Sequence, residues 1–170
     1  MDGQQPAIAI RRLGEPGDLG WVVMAHGETY TREFGWDAGF EALVARIVAD
    51  YASDLEPERE RAWIAELDGR RVGCVFCVRD EDPTTAKLRI LLVTPQGRGR
   101  GLGTRLVQTA VEFAAVAGYK RMRPWTNHPL TAARRIYVAH GFRLVAEEPR
   151  HSFGVDLTGQ TYELELAPTG

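Results

Sequence analysis

The twelve residues Val93-Thr94-Pro95-Gln96-Gly97-Arg98-Gly99-Arg100-Gly101-Leu102-Gly103-Thr104 carry the strongest chemical signal in this 170-residue sequence. An apolar run ends at Val93, a loop rich in glycine and arginine follows, and a helical period begins at once. Glycines let a backbone bend with its amides pointing inward, and a helix N-terminus adds about half a positive charge. Together they cradle a phosphate or pyrophosphate, and Arg98 and Arg100 suit the loop to a phosphate-rich ligand. A Walker loop would close with Gly-Lys-Ser/Thr, where this chain reads Gly101-Leu102-Gly103. A dinucleotide fold would set the loop after its first strand, and here it follows the fourth. A plain glycine turn would need neither arginine.

Cys74-Val75-Phe76-Cys77 spells a metal or redox pair, but positions three apart on a strand face opposite sides. No second cysteine pair and no His-x-x-x-His completes a zinc site, so no metal is expected. Both cysteines read as small core residues of a cytoplasmic protein. Charge is spread unevenly along the chain. Between Gln96 and Arg143 stand nine basic residues and one acid, Glu112, against 12 basic and 22 acidic residues elsewhere. The basic segment suits an anion, and the acidic remainder favours a cationic small acceptor.

The elements that must hold this loop follow from periodicity. Length, with 44% hydrophobic and 26% charged residues, fits one globular domain over 1–170. No apolar run approaches a membrane span, and Met1-Asp2-Gly3-Gln4-Gln5-Pro6 shows no secretory leader. Ala7–Arg11 reads as a strand, and Asp18 to about Tyr51 as helix, interrupted at Gly35-Trp36-Asp37 with Asp37 as a cap. The period then becomes two: Ala62–Leu67 and Val72–Val78 flank Asp68-Gly69-Arg70-Arg71, a hairpin signal, and Ala86–Val93 is a buried strand. Gly101–Ala117 is helical, Lys120–Thr126 a strand whose Pro124 leaves one side unpaired, and Thr131–His140 a last helix. Strands near Phe142–Ala146 and Thr161–Leu166 complete one α+β domain.

At the loop these residues resemble the GCN5-related N-acetyltransferase (GNAT) superfamily, whose Arg/Gln-x-x-Gly-x-Gly/Ala signature matches Arg98-Gly99-Arg100-Gly101-Leu102-Gly103. Ala133–Phe142, with Tyr137 before Gly141-Phe142, resembles the family's tyrosine helix, and the order of elements agrees over nearly the whole chain. The resemblance implies a GNAT fold: a mixed, mostly antiparallel central sheet of about seven strands flanked by helices, with strands four and five splayed. It implies acetyl-coenzyme A as co-substrate, its pyrophosphate on Arg98, Gly99, Arg100, Gly101, Leu102, Gly103 and Thr104, and its pantetheine along Leu91, Leu92 and Val93. Tyr137 matches the family tyrosine near the sulfur, placed to give a proton to the departing thiolate. The family's asparagine seven residues earlier is Leu130 here, and Asn127 stands nearby as its substitute.

Many members carry a glutamate base on the fourth strand; Lys87-Leu88-Arg89-Ile90-Leu91-Leu92-Val93 has no acid. Candidates for deprotonating or recognising an amine lie in the first helices: His26, Glu28, Glu33 and Asp37, interleaved with Tyr30, Phe34 and Trp36. The expected activity is direct acetyl transfer to a primary amine of a small molecule, peptide or protein. The rival is a module that senses acetyl-coenzyme A without turnover. No nucleic-acid or membrane partner is expected, while exposed C-terminal strands suit a homodimer.

Overall fold

The computed structural model describes residues 3–168; Met1, Asp2, Thr169 and Gly170 lie outside the described residues. The elements are β1 (Ile8–Arg12), α1 (Asp18–Phe34), α2 (Ala38–Ser53), β2 (Arg61–Leu67), β3 (Arg70–Arg79), β4 (Thr85–Val93), α3 (Leu102–Val116), β5 (Arg121–Asn127), α4 (Thr131–Ala139), β6 (Arg143–Ser152) and β7 (Val155–Glu165). One seven-stranded sheet runs β1-β2-β3-β4-β5-β7-β6, and only β4 and β5 are parallel. Asp68 and Gly69, both at positive φ, make the two-residue turn between β2 and β3. Asp37 caps α2, its carboxylate accepting from the Gly39 amide.

Each sheet face has its own core. On one, Val22, Val44, Val48 and Tyr51 of α1 and α2 meet Ile64, Cys74 and Phe76. On the other, Leu106, Val107 and Ala110 of α3 meet Val75, Cys77, Leu88 and Met122. Cys74 and Cys77 therefore belong to opposite cores and remain free thiols, as the strand period requires. No described helix is long and apolar enough to cross a membrane.

Asp18, at the start of α1, is buried and ties α1 to β1 and β3. Its carboxylate accepts from Arg11 at 2.8 and 2.9 Å, from Arg71 at 2.8 Å, and from the Gly14 and Glu15 amides. The Arg11 hydrogen bonds, with Arg71 and the amides, hold this carboxyl well below the usual range. Its stabilisation is therefore full above about pH 4 and is lost as pH falls further. Asp18→Asn is expected to cost about 3 kcal/mol, because it strands two guanidinium groups beside a neutral amide. A lower urea midpoint at unchanged slope, with a flatter loss of stability below pH 4, checks this.

The C-terminal hairpin is longer than its sequence pattern suggests: β6 runs to Ser152 and β7 begins at Val155, instead of ending at Ala146 and starting at Thr161. The reason is exposure. From Arg143 to Pro149 both faces of β6 meet solvent, so no alternating apolar period marks it. The turn at Phe153-Gly154, at positive φ, swings Phe153 onto Trp36 and Phe40, each at 5.2 Å between ring centroids. The hairpin tip thus lies against the α1–α2 junction, and the Asp37 amide donates to the Phe153 carbonyl at 3.0 Å.

Candidate active site

The pairing of β4 with β5 ends at Leu88 and Pro124. Proline has no amide to continue the ladder, and from Trp125 onward β5 pairs only with β7. On β4 the register against β3 jumps at the same height: Phe76 faces Arg89 and Cys74 faces Leu92, so one β3 residue opposes Ile90 and Leu91. Ile90 has φ 46°, which a β-branched residue rarely adopts. Two groups hold the bulge: the Cys74 thiol donates to the Ile90 carbonyl and the Tyr30 hydroxyl to the Leu91 carbonyl, both at 3.4 Å. Strain retained beside a gap in a sheet is a mark of a working site.

Two cavities meet at this gap. One, about 460 Å³, lies over the glycine loop and is bordered by Leu91, Leu92, Val93, Arg98, Gly99, Gly101, Leu102, Gly103 and Thr104. The other, about 350 Å³, lies under α1 and α2 and includes His26, Trp36, Arg89, Asn127 and Tyr137. Tyr30, Leu91, Leu130 and Ala133 border both. The two cavities therefore share a boundary at the gap between the strands, where a passage between them would run.

The loop has the geometry of an anion cradle. Gly99 and Gly101 take φ of 79° and 72°, and Gly101 caps α3 with no side chain over the first amides. These amides have no partner within the helix and point toward the loop cavity's end of α3. Gly103 lets α3 approach α4: a Cβ there would stand 2.7 Å from Ile136 Cδ1. Arg98 is already engaged, donating to the Val93 carbonyl at 3.2 Å and pairing with Glu33 at 2.5 Å. It fastens the loop to β4 and α1. Arg100 is exposed and borders neither cavity.

Tyr137 sits one helical turn beyond Ala133, inside the core, its ring against Phe142 and Tyr162 at 5.6 and 5.7 Å. Burial pushes its phenol above the ordinary range, with Tyr30 and Tyr162 adding to the effect, so it stays protonated. Asn127 is buried at the end of β5, its Oδ1 without a hydrogen-bond partner among the described residues. It lines the cavity under α1 and α2 and does not border the one over the glycine loop. Leu130, in the place of the family's asparagine, borders the passage itself.

The expected amine-recognising residues separate. Trp36 is buried in the cavity wall, stacked on Tyr30 at 5.3 Å. Glu33 turns to the loop cavity and Arg98, and Glu28 is exposed on α1 and borders neither cavity. Helical geometry explains Glu28, which projects from the opposite side of α1 to His26 and Tyr30; Glu33, one turn beyond Tyr30, shares their side but is drawn to Arg98. His26 is fully buried, its Nδ1 2.7 Å from the Val22 carbonyl. Burial pushes its imidazole down to about 4, the carbonyls of Val22 and Ile90 offsetting part of the effect, so it is neutral at pH 7.

The acidic surplus of the chain does not reach this cavity. Its described lining has one carboxylate, Asp80, against Lys87, Arg89 and Arg123. Sequence reasoning took Lys87 and Arg89 only as part of a strand lacking an acid and counted Arg123 in the basic segment. Their spacing was the available signal, since Lys87 and Arg89 alternate onto one face and Arg123 pairs beside Lys87. No group of three or more potential metal ligands occurs among the described residues.

Comparison with known proteins bears on what this passage serves. The model of the acetyltransferase (GNAT) family matches residues 23–142. N-acetylaspartate synthetase of Danio rerio is 32% identical over 111 residues, 65% of this chain and 38% of that protein, so the chain spans well under half of that relative. Among solved structures, yncA of Salmonella typhimurium, determined with its cofactor acetyl-CoA, superposes with a TM-score of 0.77 at 20% identity over 95% of both chains. Spermidine N-acetyltransferase of Vibrio cholerae, in complex with CoA and spermine, gives 0.71 at 14% over 94% of this chain and 95% of that one. At those identities the likeness is one of fold.

Proposed function

We propose, for a chain that belongs to the acetyltransferase (GNAT) family, the transfer of acetyl from acetyl-coenzyme A to a primary amine in a ternary complex. The observation that carries this reading is the boundary that the two cavities share at the gap between β4 and β5. A thioester arm laid along Leu91–Val93 would bring its acetyl end to that boundary, and an amine in the second cavity would meet it there.

The residues present fit the co-substrate. Amides of Gly99 to Thr104 and the α3 N-terminus hold the pyrophosphate, with Arg98 and Arg100 adding positive charge. The β4 backbone that β5 leaves unpaired offers hydrogen bonds to pantetheine, and an amide near Leu92 or Val93 polarises the acetyl carbonyl. The amine nitrogen bonds to the acetyl carbon, the carbon–sulfur bond breaks, Tyr137 donates its proton to the sulfur, and the proton the nitrogen sheds returns through water to the tyrosinate, leaving an amide and a free thiol. Asn127 bears on the acceptor side of the passage. With no unpaired carboxylate in the cavity and His26 weakly basic, the amine enters as its free base.

Two buried thiols suit a reducing compartment such as the cytoplasm. The exposed ten-residue edge of β6 is the strand through which two copies would pair.

Titration calorimetry with acetyl-coenzyme A, desulfo-coenzyme A and ATP, beside a thiol-release assay with a set of amines, tests the reading. Acetyl-coenzyme A is expected to bind at least tenfold more tightly than ATP and to release thiol with an amine. Equal affinity for ATP would leave only a generic phosphate cradle. Tight binding with no thiol release from any amine would favour the sensing module, the reading that the missing β4 acid supports.

A further inference from the structure

Arg89 is an anomaly in the cavity wall. It is the residue before the Ile90 bulge, opposite Phe76 on β3, and therefore on the face covered by α1 and α2. Of the three cations lining the cavity, Lys87 stands 3.4 Å from Asp80 and Arg123 stands 2.6 Å from Glu163. The Arg89 side chain has no hydrogen bond or ion pair among the described residues, although it also borders a smaller cavity with Asp50, Asp54 and Glu60. Burial lowers its pKa, and the charge of Asp50 on α2 only partly offsets this. An arginine nonetheless stays charged at any working pH. A half-buried guanidinium without a counter-ion costs stability, and its planar fork matches a carboxylate bidentately.

The rest of the cavity points the same way. Asp80, the one carboxylate of the described lining, is committed to Lys87, Glu33 in the adjoining cavity is committed to Arg98, and Glu28 borders neither cavity. A polycationic acceptor would find no free anion here and would meet Arg89. Two strand residues, roughly 7 Å, separate Arg89 from Leu91 at the passage. With the reach of the Arg89 side chain, one small molecule could present an amine at Leu91 and a carboxylate to the guanidinium.

We propose that the acceptor is an amine bearing a carboxylate, a small and preferably acidic amino acid, whose carboxylate is bound by Arg89 on the strip that also carries Lys87 and Arg123. The inference rests on the acetyltransferase reading of this cavity, and its test separates the two. Trp36 and Trp125 line the cavity, so tryptophan fluorescence reports acceptor binding without turnover. L-aspartate, its diamide, phosphoethanolamine and spermidine are titrated into the protein saturated with coenzyme A, then assayed for thiol release with acetyl-coenzyme A.

L-aspartate is expected to bind at least tenfold more tightly than its diamide or spermidine. In Arg89→Gln the L-aspartate Kd and KM rise at least tenfold, kcat stays within twofold, and coenzyme A affinity is unchanged. Arg89→Lys restores part of the loss. Selective aspartate binding without thiol release supports the acceptor site and overturns the transferase reading. Thiol release that is as fast with the diamide or spermidine, or insensitive to Arg89→Gln, overturns the acceptor class and leaves the transferase reading standing. Tighter binding of phosphoethanolamine than of aspartate overturns the choice of carboxylate. No binding of any probe overturns the acceptor site.

Discussion

Tyr137→Phe is expected to lower kcat by about a hundredfold while leaving acetyl-coenzyme A affinity and melting temperature nearly unchanged. General acid catalysis typically contributes a factor of ~10² to 10⁴, and the lost group is only the proton donor. The ring packs on Phe142 and Tyr162 through its hydrocarbon edges, and phenylalanine keeps those contacts. Burial raises the phenol's pKa, so Tyr137 remains an acid through neutral and moderately alkaline pH. The wild-type kcat/KM should therefore climb about tenfold per pH unit below the amine's own pKa, with no descending limb before about pH 10. Nothing lining the cavity interrupts that climb near neutrality, because His26 has already lost its proton at about pH 4. A full-rate phenylalanine variant, or a fall in rate between pH 8 and 9, would remove Tyr137 from the chemistry.

The second large effect is expected at the loop. Gly101→Val should raise the acetyl-coenzyme A Kd at least thirtyfold. Open space surrounds the position, so no clash opposes a side chain; the φ of 72° does. A β-branched residue held in the left-handed region stores about 1–3 kcal/mol, which the loop relieves by turning its amides away. Gly101→Asn is the informative control, since asparagine tolerates this region, and should retain affinity within about fivefold. Calorimetric Kd values beside melting temperatures check both. If valine and asparagine weaken binding equally, loss of the glycine's small size, rather than its backbone angle, is responsible.

Much of this molecule is legible in its residues, and the reasons are local. The Asp68-Gly69 turn, the Asp37 cap and the glycine loop before α3 each depend on a few neighbours, so short-range chemistry specifies them. Pro124 announces the open side of β5 because a missing amide is a covalent fact. The β6–β7 hairpin was only half visible, since a ribbon exposed on both faces has no hydrophobic period to read. Phe153 was missed with it, although its place in a tight turn is what carries it to Trp36 and Phe40.

The site divides in the same way. The loop residues and Tyr137 follow from motif and period, because each stands on a recognisable element. Glu33 and Glu28, equally acidic and on the same helix, could not be assigned from the sequence, because side-chain partners across the fold decide their use. Glu33 met Arg98, 65 positions away in the chain, and Glu28 met solvent. Charge counted along the chain favoured a cationic acceptor, whereas the described lining of the cavity collects three cations and one carboxylate. Linear composition carries no record of which faces a sheet and two helices will enclose.

The alternation of elements, the glycine-rich loop before α3, the open strand at Pro124 and the membership in a family are all written in the residues themselves. Packing alone sets two cavities side by side at the gap between β4 and β5, holds the Ile90 bulge there through Cys74 and Tyr30, and leaves Arg89 in the wall without an ion pair among the described residues. The physical reason is range. Turns, caps and periods are set by neighbours along the chain, while a cavity's shape and charge come from residues brought together by packing.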